Sequence, residues 1–193
     1  MLTLDEYLDE AGRAHGHMCA GQVLGVRMAM AGCREIGIDD PKAQRKSIIA
    51  FVEIDRCAAD AVSVVTGCRL GKRALKYFDY GKLAATLYNT KTGEAVRIAA
   101  KDSSREKARD MYPELPKKEQ QLKAYKELPD EELFTLERVK IKIPPEDEPG
   151  PPKTRVICEG CGEAVNDKRE VVRNGKSLCR ACANGAYYEK LDR

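Results

Sequence analysis

Two residue types carry most of the chemistry open to this 193-residue chain: eight cysteines and two histidines. Cys158-Glu159-Gly160-Cys161 and Cys179-Arg180-Ala181-Cys182 form two CxxC pairs with seventeen residues between them. Two thiolates three residues apart on a tight turn share one ion, and two such turns complete a closed tetrahedral site. The separation is that of zinc modules. Four protein ligands leave no position for substrate, so the expected role of Cys158, Cys161, Cys179 and Cys182 is structural zinc. Thiolates alone also suit iron, as in a rubredoxin-like or iron–sulfur site, and a redox dithiol is the third alternative. A segment of roughly 40 residues buries too little surface to fold alone, so the metal supplies the missing free energy.

The other four cysteines pose a different problem. His15-Gly16-His17-Met18-Cys19 offers two imidazoles and a thiol on one turn. One imidazole nitrogen can ligate a metal while the other is oriented by a hydrogen bond. Cys19 and Cys57 each stand at the expected start of a helix, where unsatisfied N–H groups favour a thiolate. Asp60 follows Cys57 by three residues, on the same helical face. Cys68 lies just after Gly67, and Cys33, inside a helix, reads as a packing residue. On spacing alone these groups are either ligands or buried thiols. Gly67-Cys68-Arg69-Leu70-Gly71-Lys72-Arg73 is no phosphate loop, because its glycines are one residue too close and no Ser or Thr follows Lys72.

These residues must be positioned by their surroundings. Thr3 and Glu6 predict a capping box for a helix over 4–14. A second helix is expected over 19–36, with Gly21, Gly25, Ala29 and Gly32 letting another backbone approach and Gly37 ending it. Ser47–Ile54 is a short apolar run rich in β-branched residues, a buried strand delivering Cys57 just past its end. A helix over 57–66 stopped by Gly67 follows. Leu83–Asn89 and Ala95–Ala99 flank turn residues and predict an antiparallel hairpin. Beyond it come a helix capped by Ser103 or Ser104, a helix over 117–127 and a closing strand over Glu137–Ile143. Helices and hairpin are segregated, so the fold class is α+β, helices on a mainly antiparallel sheet. In the tail, Val171–Leu178 reads as a hairpin on an Asn174-Gly175 turn.

Residues 143–152 hold five prolines, which cannot enter a helix interior or central strand. This divides the chain into a core over 1–143, a proline-rich linker over 144–153 and a four-cysteine module over 154–193. The net charge is +3, and the surplus lies in the tail: residues 1–152 carry 25 basic and 25 acidic groups, residues 153–193 carry 9 and 6. That excess is too small for a dense nucleic-acid face. The longest apolar run, Ile48–Val52, cannot span a bilayer. An acidic N-terminus where a secretory signal would be basic leads us to expect a cytoplasmic protein.

Taken in order, His15-Gly16-His17-Met18-Cys19-Ala20-Gly21, Gly25-Val26-Arg27-Met28, Val52-Glu53-Ile54-Asp55-Arg56-Cys57-Ala58-Ala59-Asp60-Ala61, Thr66-Gly67-Cys68-Arg69-Leu70-Gly71-Lys72 and Asp79-Tyr80-Gly81-Lys82 resemble the FmdE family, named for one component of molybdenum or tungsten formylmethanofuran dehydrogenase. The tail resembles the zinc module often appended to its members. The resemblance implies an α+β core, a homodimer, and a core metal or active site drawn from His17, Cys19 and Cys57, with His15 and Cys68 as additional candidates. A mixed imidazole and thiolate shell suits zinc, nickel or iron. If the site is catalytic, Cys19 and Cys57 act with Asp60 as the proton carrier. Ala20 stands where Pro is associated with the family, a change in the turn more than in the ligands.

The leading expectation is therefore a metal-binding FmdE-like protein, an accessory subunit or stand-alone relative of the dehydrogenase in one-carbon metabolism. Neither a pterin-binding domain nor ferredoxin-type cysteine runs are evident, so the chain is not the complete enzyme and catalysis by it alone stays open. Its expected partners are a second copy and the subunits of that complex. The alternative is an adaptor whose zinc module docks a partner protein, or less readily nucleic acid through Arg155, Lys168, Arg169, Arg173, Lys176 and Arg180, since no aromatics interleave the basic residues. A third reading pairs Cys19 with Cys57 or Cys68 in thiol redox chemistry.

Overall fold

The structure, a computed structural model, describes residues 1–191. The chain divides into two compact units, with the boundary between Lys142 and Ile143.

In the first unit the Thr3 hydroxyl accepts from the Glu6 N–H at 3.3 Å while the Glu6 carboxylate accepts from the Thr3 N–H at 2.8 Å. This capping box starts α1 (Leu4–His15). The helix α2 (Ala20–Glu35), strand β1 (Ile48–Val52) and helix α3 (Cys57–Thr66) follow at the places their patterns predict. The sheet is completed by β2 (Leu75–Tyr77), β3 (Ala84–Asn89), β4 (Ala95–Ala100) and β5 (Phe134–Arg138), with α4 (Ser103–Met111), α5 (Lys117–Glu127) and α6 (Asp130–Leu133) between the last two strands. Strand order is β2-β1-β3-β4-β5. Only the β1–β2 pair is parallel; the other three are antiparallel. The class is α+β, as expected.

Two local expectations are corrected, and one strand carried no sequence signal. The closing strand lies earlier than Glu137–Ile143, because β4 sets the length of the ladder: Phe134 pairs with Ala100 and Arg138 with Val96. Phe134 enters the core at 2% exposure, and Val139 makes the last bond, to the Ala95 carbonyl. Neither serine caps α4: Asp102 holds the N-cap position without a side-chain cap bond, and the buried Ser104 hydroxyl donates to the Lys101 carbonyl at 2.7 Å. The three-residue edge strand β2 was too short to show a period in the sequence.

The helix α2 lies on the sheet through a small residue. A Cβ at Gly32 would stand 2.7 Å from Leu87 Cδ1 and 2.8 Å from Ile98 Cδ1. Arg27 ties the same helix to the α5–α6 corner, donating to the Tyr125 carbonyl at 2.9 Å, to the Leu128 carbonyl and to Asp130 at 2.6 Å.

The second unit begins at Ile143 and so includes the proline-rich stretch. There Lys153 N–H donates to Asp167 at 2.7 Å, and Asp147 pairs with Arg169. Two hairpins, β6 (Arg155–Ile157) with β7 (Ala164–Asn166) and β8 (Val171–Arg173) with β9 (Lys176–Leu178), precede the short helix α7 (Arg180–Asn184). Asn174 and Gly175 at the β8–β9 turn have φ of 53° and 76°, the positive values a tight primed turn needs. No helix among the described residues is long and apolar enough to cross a membrane.

Candidate metal centres

In the tail, the sulfurs of Cys158, Cys161, Cys179 and Cys182 all lie within 4.8 Å of one another. Sulfurs about 2.3 Å from a common ion at tetrahedral angles stand about 3.8 Å apart, and Cys161 Sγ is 3.9 Å from Cys179 Sγ. The N–H of Cys179 donates to Cys158 Sγ at 3.1 Å and that of Gly160 at 3.4 Å. These donors, Cys179 first, bring the Cys158 thiol down to about 6. The Cys182 thiol is pushed up to about 12 by the sulfurs of Cys179, Cys158 and Cys161 around it. Four sulfurs this close cannot all ionise unless a cation sits among them, so the donor set fits zinc.

The core cluster forms where α1 meets α2. His15 is the last residue of α1, and Gly16 closes the helix in the left-handed region (φ 90°), its N–H bonded to the Gly12 carbonyl at 2.9 Å. The reversal brings the His15 and His17 rings to 4.7 Å between centroids. Cys19 then takes the N-cap position of α2 with no side-chain cap bond, so its sulfur stays available. A ligating atom from each of His15, His17 and Cys19 lies within 4.8 Å of the other two.

Cys57, 38 residues further along, reaches this place because two glycines let α2 and α3 touch. A Cβ at Gly25 would stand 2.6 Å from the Ala58 carbonyl oxygen, a clash with backbone, and one at Gly21 would stand 3.2 Å from Cys57 Cβ and 3.7 Å from Cys19 Sγ. Gln22, fully buried, donates from Nε2 to the Cys57 carbonyl at 2.7 Å and locks the start of α3 to α2; its Oε1 has no partner. The loop before Cys57 is anchored from the sheet, where Arg97 makes two 2.7 Å bonds to the 6%-exposed Glu53.

The structure thus brings His15, His17 and Cys19 together, with Cys57 beside Cys19 but outside the tightest group. His15, a secondary candidate in the sequence, stands in that group. Asp60 faces His15 Nδ1 at 2.9 Å. With the Nδ1–H tautomer the imidazole donates to the carboxylate and leaves Nε2 free, the arrangement that fixes a metal-ligating histidine. Cys68 is not brought to the cluster: it lies past the far end of α3, about 15 Å of helix away by rise alone, fully buried and donating to the Ile48 carbonyl at 3.4 Å. Cys33 is packed in the core, its thiol pushed up to about 12 by burial. The thiolate expected from the helix start at Cys57 is corrected: burial first, then the neighbouring Cys19, moves its pKa up. Gln22, Glu53 and Arg97 escaped the sequence reading. Gln22 had one visible signal, a polar residue on an otherwise apolar helix face.

Residues 14–143 match the model of a family described as "FmdE, Molybdenum formylmethanofuran dehydrogenase operon". The chain belongs to the FmdE family. Residues 152–188 match the prokaryotic dksA/traR C4-type zinc finger, which makes the tail a zinc-binding module. A relative in Archaeoglobus fulgidus, named a probable S-adenosyl-L-methionine-binding protein, is 32% identical over 98% of this chain. The chain spans 56% of that relative's length. The crystal structure of an FmdE-like protein from Syntrophus aciditrophicus, described by its likeness to tungsten formylmethanofuran dehydrogenase, shares the fold, with a TM-score of 0.66 at 24% identity, covering 97% of this chain and 96% of the other.

Proposed function

We propose that this FmdE-family protein holds a working metal ion, zinc, nickel or iron, on His15, His17 and Cys19 with Cys57 as the adjacent fourth donor. We further propose that it serves as an accessory subunit or stand-alone relative of a molybdenum or tungsten formylmethanofuran dehydrogenase in cytoplasmic one-carbon metabolism. The observation that carries the metal site is the convergence of two imidazoles and a thiol within 4.8 Å. The Cys57 pKa is moved up by desolvation and then by the Cys19 sulfur, so a cation held between these two half-buried thiols would offset the charge that opposes their ionisation. That direction disfavours thiol redox chemistry, which needs a ready thiolate.

A bound ion of this kind supplies Lewis-acid polarisation or water activation. Asp60 orients His15, and its 64% exposed side chain can pass a proton to solvent. Gln22 and the Glu53–Arg97 pair hold Cys57 in place. Homodimerisation through the β2 edge would cover the exposed Tyr77, Phe78 and Tyr80 there.

The test is metal content per full-length chain. Wild type should carry two ions and Cys19→Ser one, with the tail zinc retained; equal content in the two proteins would overturn the core site. Co-elution with the dehydrogenase subunits tests the accessory role, and separate elution under saturating conditions would leave a stand-alone relative. The adaptor reading is favoured by one observation, the exposed Ile157 (56%) and Val172 (69%) on the zinc module.

A further inference from the structure

A cleft of about 570 Å³ opens beside Cys57, within the size range of small-ligand sites. Its floor is apolar, made by Leu24, Ile54, Leu83, Ala100 and the 2%-exposed Tyr125. Its charge is one-sided. Arg56, Lys101, Arg105 and Lys117 line it against a single acid, Asp102, whose carboxylate lies 3.3 Å from Arg105 Nε. Lys101 spends one ammonium proton on the Glu131 carbonyl at 2.7 Å and keeps two for another acceptor.

The backbone adds to this bias. The lining includes the opening turns of four helices: Ala20 and Gly21 of α2, Cys57 and Ala58 of α3, Ser104 and Arg105 of α4, Lys117 of α5. None of the four N-termini is capped by a side chain. Each presents the positive end of its dipole, and the first N–H groups of α2, α3 and α5 add donors, whereas Ser104 and Arg105 spend theirs on the Lys101 and Asp102 carbonyls at 3.2 and 3.0 Å; Arg56, Arg105 and Lys117 all stand within one turn of a helix start.

We propose that this cleft binds a small organic anion, its carboxylate or phosphate held by Arg105, Lys117, Lys101 and the helix N-termini and its apolar body laid on Leu24 and Tyr125, so that the bound molecule reaches Cys57. An apolar floor with a cationic rim discriminates against both inorganic anions, which gain nothing from the floor, and neutral apolar molecules, which leave the rim unsatisfied. As the substrate site of a metal-dependent reaction the cleft rests on the core metal centre; as an anion site it stands by itself.

Calorimetric titration of the full-length, zinc-replete protein with phenyl phosphate, phenylacetate, inorganic phosphate and benzyl alcohol tests this. One of the two organic anions should bind at least about tenfold more tightly than benzyl alcohol and inorganic phosphate. Which of them leads identifies the anionic group. Arg105→Gln with Lys117→Gln, both on exposed side chains, should weaken that binding by about tenfold or more, with unchanged metal content and melting temperature. Arg105→Glu, which leaves the fold equally untouched, should weaken it further. Lys91→Gln, which changes an exposed lysine outside the cleft, should retain binding within about twofold. Equal affinity for benzyl alcohol and the organic anions, or binding indifferent to the rim variants, would overturn the proposal. The metal content of the same samples reports separately on the core metal centre.

Discussion

The two cysteine clusters reach similar geometry by opposite routes. In the tail, four identical donors come from two CxxC turns only seventeen residues apart, and hairpins of three-residue strands bring them together. In the core, mixed donors come from an interhelical turn and from a helix start 38 residues later, and they meet only because Gly21 and Gly25 let α2 lie against α3. A tail this small is expected to depend on its ion for its fold, whereas the core cluster rests on a separate hydrophobic interior and lies beside an open cleft. A closed site made of local spacing suits structure; a cluster assembled by tertiary packing beside a cleft leaves the open position that the proposed metal chemistry would need.

The strongest way to break this comparison is to remove one tail ligand. Cys158→Ser should abolish tail zinc and unfold residues beyond 143, forfeiting a metal-binding free energy of about 10–16 kcal/mol, while amide protection in the α2–α3 core persists; loss of protection in both units would mean the core is not independent. Next is Arg97→Met, which strands the buried Glu53 carboxylate and should cost about 3 kcal/mol by denaturant titration, with the core ion lost before the tail zinc. Gly25→Val should cost about 2–3 kcal/mol through its clash with the Ala58 backbone and release core metal, and an unchanged metal count would show that helix contact is dispensable. The smallest effect belongs to Asp60→Asn. Stability should change by less than about 0.5 kcal/mol because the side chain is exposed, yet core metal affinity should fall about tenfold or more as His15 loses its orienting carboxylate.

The same contrast explains what was legible in the sequence. Features fixed by neighbours along the chain were: the Thr3–Glu6 box, the Cys57–Thr66 helix, the Asn174-Gly175 hairpin and the zinc ligands. Features fixed by distant partners were not. The position of β5 is set by β4, the parallel edge β2 by β1, and the failure of Ser103 or Ser104 to cap α4 by the Lys101 carbonyl that takes the Ser104 hydroxyl. Within the core site, the His-Gly-His-x-Cys turn announced its donors, but the promotion of His15 needed Asp60 across 45 residues, and the direction of the Cys57 shift needed Cys19 at its side. Helix position alone predicted a thiolate; burial and a second sulfur outweigh it. The family resemblance supplied what spacing could not, the pairing of the first-helix turn with Cys57.

The central claim is that the core holds its own ion on mixed nitrogen and sulfur donors. X-ray absorption on the full-length Cys161→Ser, Cys182→Ser protein, whose tail can no longer close a four-sulfur site, addresses it most directly. The account predicts one ion per chain with nitrogen scatterers at about 2.0–2.1 Å beside sulfur at about 2.3 Å. A protein with no bound metal, or an ion seen by sulfur alone, would contradict it.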